Sequence, residues 1–244
     1  MSGGGATGAA SAAGPWRVEV LIPAHRVVFA LAGDEVFEVH AGGSAATFRG
    51  YRALDVEGAA HGMIAWPNTV LLTGAQGPVV IDPGYATQGD VLVAALARRG
   101  IAPDDVRTVL MTHLHSDHVS ALPQLGPVAL HVHEIELASA HAHAGRGWRD
   151  QADVRPFAGG VGAVIPGVHF IHTPAHTDGH VAYLVETEAG TVAVVGDTLG
   201  PDPAWYRDMT LPQGHPRPED HLAAFRAIAA ERPARIIPGH YPPF

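Results

Sequence analysis

His113-Leu114-His115-Ser116-Asp117-His118 packs three imidazoles and one carboxyl group into six residues, directly after the largely apolar run 106–111. If 108–112 is a strand, the chain leaves it extended, so His113 and His115 project to one side while Leu114 enters the core. Two neighbouring imidazoles can then reach one cation. The turn that follows lets Asp117 and His118 approach from another side and hold a second cation or a water. Imidazole nitrogen and carboxylate oxygen suit zinc, iron, manganese or cobalt, and no thiolate competes because the chain has no Cys. With 17 His in 244 residues, chance clusters are commoner than usual, but chance does not explain this order of ligands at a strand end.

Composition narrows the remaining classes. At 244 residues and 47% hydrophobic content the chain can bury a substantial core, and the expected organisation is a disordered Gly/Ala/Ser tail at 1–15 followed by one domain at 16–244. A formal net charge of −9 argues against an electrostatic grip on nucleic acid or an anionic membrane surface. All 15 basic residues are Arg, which excludes a Schiff-base lysine and a P-loop lysine. Absence of Cys excludes disulfides and thiol nucleophiles. No apolar run approaches the roughly 20 residues needed to cross a bilayer, and 1–15 lacks the basic and aliphatic regions of a signal peptide, so a cytoplasmic protein is expected.

Short strands are expected at 16–22, 26–31 and 35–40, then an irregular Gly-rich insertion over 41–68 that forms a pocket wall. Further strands are expected at 69–73, 78–81, 108–112, 128–132, 168–172, 180–186, 191–195 and 235–237. Helices are expected at 88–99, 134–143 and 219–230. The glycines of 145–166 read as a loop, a candidate mobile lid with an exposed Trp148. This strand and helix alternation is that of an α/β protein with helices on sheet faces.

Three more ligand-type residues sit where a strand runs into a loop: His176 in Thr173-Pro174-Ala175-His176-Thr177-Asp178-Gly179-His180, Asp197 in Val195-Gly196-Asp197, and His240 in Ile237-Pro238-Gly239-His240. Strand ends hold side chains rigidly, as a binding site requires. With these segments the chain resembles the metallo-β-lactamase fold superfamily, whose pattern is a Thr-His-x-His-x-Asp-His loop, a Thr-Pro-Gly-His-Thr-x-Gly-His segment, a Gly-Asp strand end and a late Gly-His. All four occur in order, over roughly 65–244.

The resemblance implies a four-layer αβ/βα sandwich, a first metal held by His113, His115 and His176, and a second held by Asp117, His118 and His240. Asp197 would bridge them. Asp82 matches a structural Asp beside the site, and Ala175 departs from the usual Gly by one methyl. His180 is expected to hydrogen-bond its loop. His131, His133, His141 and His143 match no ligand position, His172 is open between core, surface and ligand support, and His61 is a candidate substrate contact.

Two divalent cations, zinc first with iron or manganese as alternatives, about 3.5–4 Å apart would share a water and lower its pKa toward roughly 7. Asp117 is the expected catalytic residue, orienting that hydroxide and relaying its proton to the leaving group. The expected substrate is a small molecule with an ester, lactone or thioester bond; a partner nucleic acid or membrane is not expected. Acyl-homoserine-lactonase relatives often carry Tyr three residues after the bridging Asp; here that position is Gly200 and Tyr206 is the nearest downstream candidate. Glyoxalase II relatives run well past the final His, whereas this chain ends four residues after His240, and nucleases of the fold carry a large extra domain. A Cys-ligand β-lactamase is excluded by composition. A persulfide-dioxygenase-like oxidoreductase using one iron on His113, His176 and Asp197, a phosphodiesterase, and a non-catalytic binding protein are the alternatives.

Overall fold

A computed structural model of the chain describes residues 14–32, 35–40, 60–139, 148–149, 152–200 and 202–244. Strand β1 (Arg17–Ile22) is followed by β2 (His25–Ala32), β3 (Glu35–His40), β4 (Ala60–Trp66), β5 (Thr69–Thr73) and β6 (Val79–Ile81), helix α1 (Gly89–Ala97) and strand β7 (Thr108–Leu110). The short helix α2 (Ser116–Val119), β8 (Val128–His133), α3 (Glu134–Leu137), β9 (Ala152–Phe157) and β10 (Val161–Ile165) come next. Strands β11 (Val168–His172), β12 (Val181–Thr187) and β13 (Gly190–Gly196), helices α4 (Pro203–Asp208) and α5 (Pro218–Ala230), and β14 (Arg235–Pro238) complete the order.

One sheet runs β1-β5-β6-β7-β8-β9, a second runs β10-β11-β12-β13-β14, and β3-β2-β4 form a third, three-stranded sheet. Side chains alternate across each large sheet. In the first, Val70, Leu72, Ile81 and Leu110 face Val168, Tyr183, Val185 and Val194 of the second. The intervening residues Leu71, Val80 and Val109 point outward and pack under Leu92 and Leu96 of α1. On the far side, Ala182, Leu184 and Ala193 pack against Phe225 and Ile228 of α5. The layers are therefore helix, sheet, sheet, helix, as the α/β reading of the pattern requires.

Helix α5 begins with Pro218 and carries Glu219 and Asp220 in its first turn, where fixed φ and negative charge both favour a helix start. It buries His221, Ala224, Phe225 and Ile228, a stripe at helical spacing. Gly100, at φ +70°, stops the chain after α1.

Four expectations need correction. The end of the 41–68 insertion is strand β4, paired antiparallel with β2 from His25↔Trp66 to Leu31↔Ala60; residues 41–59 lie outside the described part. Ala, Gly and His are poor strand formers, and the partner strand overrides that preference. The 145–166 lid is not a lid from 152 onward: β9 pairs in parallel with β8, and β10 pairs antiparallel with β11. Pro156 is tolerated because β9 is the last strand of its sheet, and Gly159, at φ +100°, turns the link between the two sheets. Trp148, expected to be exposed, is fully buried with Leu114 and Val119. Of the helix expected over 134–143, Glu134–Leu137 is helical, and 140–143 lie outside the described residues. Among the described residues no helix is long and apolar enough to cross a membrane.

Candidate metal centre

Strands β6 and β7 are parallel, as are β13 and β14, so Asp82, the His113 loop, Asp197 and His240 all emerge at strand C-terminal ends. His176 lies in the β11–β12 connection. The segment after β7 is stitched to both sheets, with Met111 N donating to His131 O at 2.9 Å and Val181 N donating to Thr112 O at 2.9 Å. Leu114 is buried between the two outward-facing histidines, as the extended backbone predicts. His115 then caps α2 in an extended conformation, which places Asp117 and His118 on a helical turn instead of an open loop.

The structure brings all seven expected ligand residues together. Ligand atoms of His113, His115 and His176 lie within 4.8 Å of one another, and so do those of Asp117, His118 and His240. The first three rings stand edge-on, with centroids 4.7 to 4.9 Å apart. Asp197 sits between the two groups: Oδ2 is 3.4 Å from His176 Nε2 and 3.4 Å from His240 Nε2, and Oδ1 is 3.4 Å from His118 Nε2. Asp117 Oδ2 lies 3.2 Å from His240 Nε2. Bonds of about 2.0–2.1 Å in a tetrahedral site separate neighbouring donors by roughly 3.4 Å, so this spacing fits cation ligands. His113 Nε2, His118 Nε2 and Asp197 Oδ1 are buried with no hydrogen-bond partner, an arrangement that costs energy unless something else satisfies them.

The carboxylates draw positive charge to this point. Burial alone would push His118 down, but Asp197 and Asp82 hold it well above 6.5. Burial likewise opposes His240, yet hydrogen bonds to Asp117 and Asp197 raise it to about 9. Asp197 is held well below the usual carboxylate range, because His118 and His240 outweigh burial. Asp117 is lowered in the same way, the His240 bond being its largest favourable contact. His113 goes the other way, well below 6.5, because it is fully buried and faces His118. The donor set therefore suits divalent cations bound by neutral imidazoles and anionic oxygens.

Four residues outside the cluster hold it. Asp82, forced to φ +50°, accepts from Thr112 N at 2.8 Å and Thr112 Oγ1 at 2.6 Å, and receives His118 Nδ1–H at 2.9 Å, which leaves Nε2 free to ligate. His180 Nε2 accepts from Asp197 N at 3.2 Å, so its proton sits on Nδ1, beside Thr173 Oγ1 and Thr198 Oγ1. Glu136, fully buried, accepts from Leu114 N, Thr177 Oγ1 and Gly179 N, and so ties the His113 loop to the His176 loop. Asn68, also buried, is bonded to the loop around His240. The sequence pointed to Asp82 and His180; Glu136 and Asn68 were missed, and their only signal was a polar residue set against apolar neighbours.

Ala175 is not left-handed, so its methyl is accommodated. His133 and His172 stack at 4.5 Å and bind the carbonyls of Gly159 and Asp178, a bridge between sheets and not a ligand pair. Tyr206 packs its ring on Phe225 and Phe244 in the α5 layer. The side chain of His61, and His141 and His143, lie outside the described residues.

Known proteins share this pattern. The sequence profile of the metallo-beta-lactamase superfamily matches residues 67–240. A metallo-beta-lactamase domain-containing protein 1 of Xenopus laevis is 36% identical over 183 residues, 71% of each chain. An N-acyl homoserine lactonase of a Bacillus species is 27% identical over 145 residues, 48% of this chain and 57% of its own length. A protein solved in a di-iron-bound form aligns with a TM-score of 0.55 at 26% identity, covering 73% of this chain and 89% of that one. The profile, the Xenopus relative and the paired ligand groups agree, and the chain belongs to the metallo-beta-lactamase superfamily.

Proposed function

We propose that the chain is a binuclear metal-dependent hydrolase of small molecules, with an ester, lactone or thioester as substrate. His113, His115 and His176 would hold one divalent cation, Asp117, His118 and His240 the other, with Asp197 shared. The observation that carries this reading is that both triads are complete and meet at one carboxyl group, with orphaned ligand atoms turned inward. Zinc is the expected metal; the di-iron relative supports iron as the alternative.

When bound, such a pair supplies an acidified water at neutral pH and a Lewis acid for the substrate's acyl oxygen. The chain's own contribution is orientation and proton handling. Asp117 is more open than the other carboxylate of the cluster, at 29% side-chain exposure against 12% for Asp197, and would be the group that accepts the water's proton. It would deliver that proton to the departing oxygen or sulfur. Asp197, fixed by its backbone bond to His180, keeps the two triads in register. The lactonase relative supports acyl transfer to water as the reaction.

The test joins metal quantification to a panel of esters, lactones, thioesters and phosphodiesters. Two divalent ions per chain and turnover in the acyl group of the panel, lost on chelation, are expected. One iron per chain with sulfite formed from a persulfide would replace this reading with oxidative chemistry.

A further inference from the structure

His240 lies past the end of β14, in a segment with no regular structure, and yet it must meet Asp117 and Asp197 to within about a bond length. Within its own stretch the backbone bonds between Ile236 and Phe244 close the segment but do not reach the residues beside His240. The restraint comes from the start of β5, which runs antiparallel to β6 and therefore begins at the end of the sheet where Asp82 and the His113 loop emerge. There Asn68, 4% exposed, uses both ends of its side-chain amide and its backbone N–H. Nδ2 donates to Pro238 O at 2.7 Å and to Tyr241 O at 2.6 Å, and the backbone N donates to Gly239 O at 2.6 Å. Oδ1 accepts from Ala24 N at 2.7 Å, which fixes the amide orientation. On the other side, Gly239 N donates to Gly196 O at 2.6 Å, and a Cβ on Gly239 would come within 2.0 Å of Asp197 Oδ1. The carbonyls before and after His240 are thus gripped from one side while the backbone presses against Asp197 on the other.

We propose that Asn68 is the positioning residue of His240 and so sets the occupancy of the Asp117–His118–His240 site without touching the His113–His115–His176 site. This rests on the binuclear reading above. The first triad has its own tie, Glu136, which bonds Leu114, Thr177 and Gly179 and no atom of the His240 loop. Loss of the Asn68 bonds does not release the chain end, because Ile236 and Phe244 still exchange two backbone bonds, at 2.7 and 3.0 Å. Supporting residues that orient a ligand are worth 10- to 100-fold in metal affinity.

The experiment titrates metal-free protein with cobalt(II), following calorimetry, visible absorption and bound metal per chain, in wild type, Asn68→Asp, Asn68→Ser and His240→Ala. Asn68→Asp keeps the shape and turns an oxygen toward two carbonyl oxygens; Asn68→Ser removes the reach altogether. Wild type is expected to take up two ions. Both Asn68 variants are expected to keep the first binding step and lose about 10- to 100-fold in the second, with the spectral change of His240→Ala. Equal weakening of both steps, or no change in either, in a variant with wild-type circular dichroism overturns the proposal. So does failure of both variants to fold, since the bonds would then hold the fold and not the ligand. A wild type that binds a single ion refutes the binuclear reading itself, before any variant is compared.

Discussion

Replacing Glu136 with Gln turns one carboxyl oxygen into NH2 and leaves every other atom in place. Oε1 accepts from Leu114 N at 3.0 Å, and Oε2 accepts from Thr177 Oγ1 at 2.7 Å and Gly179 N at 3.2 Å, in a fully buried setting. The amide can face its oxygen to only one side. If the oxygen serves Gly179 and Thr177, the new NH2 opposes Leu114 N–H; if it serves Leu114, the NH2 finds Thr177 Oγ1 as acceptor but Gly179 N–H is orphaned. Either way one buried backbone donor loses its partner, at a cost of about 1–3 kcal/mol. For a chain of this size that lowers the melting temperature by about 2–12 °C, at 2–4 °C per kcal/mol. Glu136→Ala orphans both amides, so about 2–6 kcal/mol is expected, a large share of a total stability of about 5–15. Because Leu114 sits between His113 and His115, and Thr177 follows His176, Glu136→Gln should also weaken the first metal about 10- to 100-fold. Differential scanning fluorimetry and metal titration read both effects. A Glu136→Gln protein that melts within a degree of wild type and binds metal as tightly would refute the clamp.

Gly179→Ala is expected to be worse than Glu136→Gln, since its Cβ would lie 2.2 Å from Glu136 N, a backbone atom that cannot step aside; soluble yield and melting temperature equal to wild type would contradict the packing described. His115→Ala should abolish hydrolysis and lower metal content with the fold retained, and full turnover in that variant would reject the ligand assignment. Tyr183 is fully buried, and burial, with the Asp82 charge, raises its pKa well above 10 although it donates to Met111 O at 2.8 Å. The unfolded chain therefore releases this proton first: the contribution is intact below pH 10 and lost as pH rises from 10 through the folded value, by up to about 1.4 kcal/mol per unit. Tyr183→Phe should cost about 0.5–1.5 kcal/mol at pH 8 and show a smaller alkaline loss; a stability gap that is constant from pH 8 to 11 would sink this.

The convergence of the candidate ligands was legible because each follows a strand in sequence, and strand ends converge in any parallel pair. Helices α1 and α5 were legible from apolar spacing and the Gly100 and Pro218 boundaries. Strands β9 and β10 were not, because Pro156 and the glycines around Gly159 read locally as breakers, while pairing with β8 and β11 is decided at a distance. Trp148 looked exposed for the same reason: its polar neighbours are local, and the core cluster that it shares with Leu114 and Val119 is not. Asn68 and Glu136 were invisible for a stricter reason. Their partners lie far along the chain, Pro238 for Asn68 and Leu114 and Thr177 for Glu136, and one polar residue beside apolar ones carries no address.

The seven candidate ligand side chains come from two different sheets, four from the segment after β7 and three from the ends of β11, β13 and β14. A cation lodged among them would act as a rivet through the sandwich, resisting the breathing motion that would part the Leu110 face from the Tyr183 face. Resistance to proteases should then climb with free metal concentration long after catalysis has saturated, because each tenfold excess over the dissociation constant adds about 1.4 kcal/mol against opening.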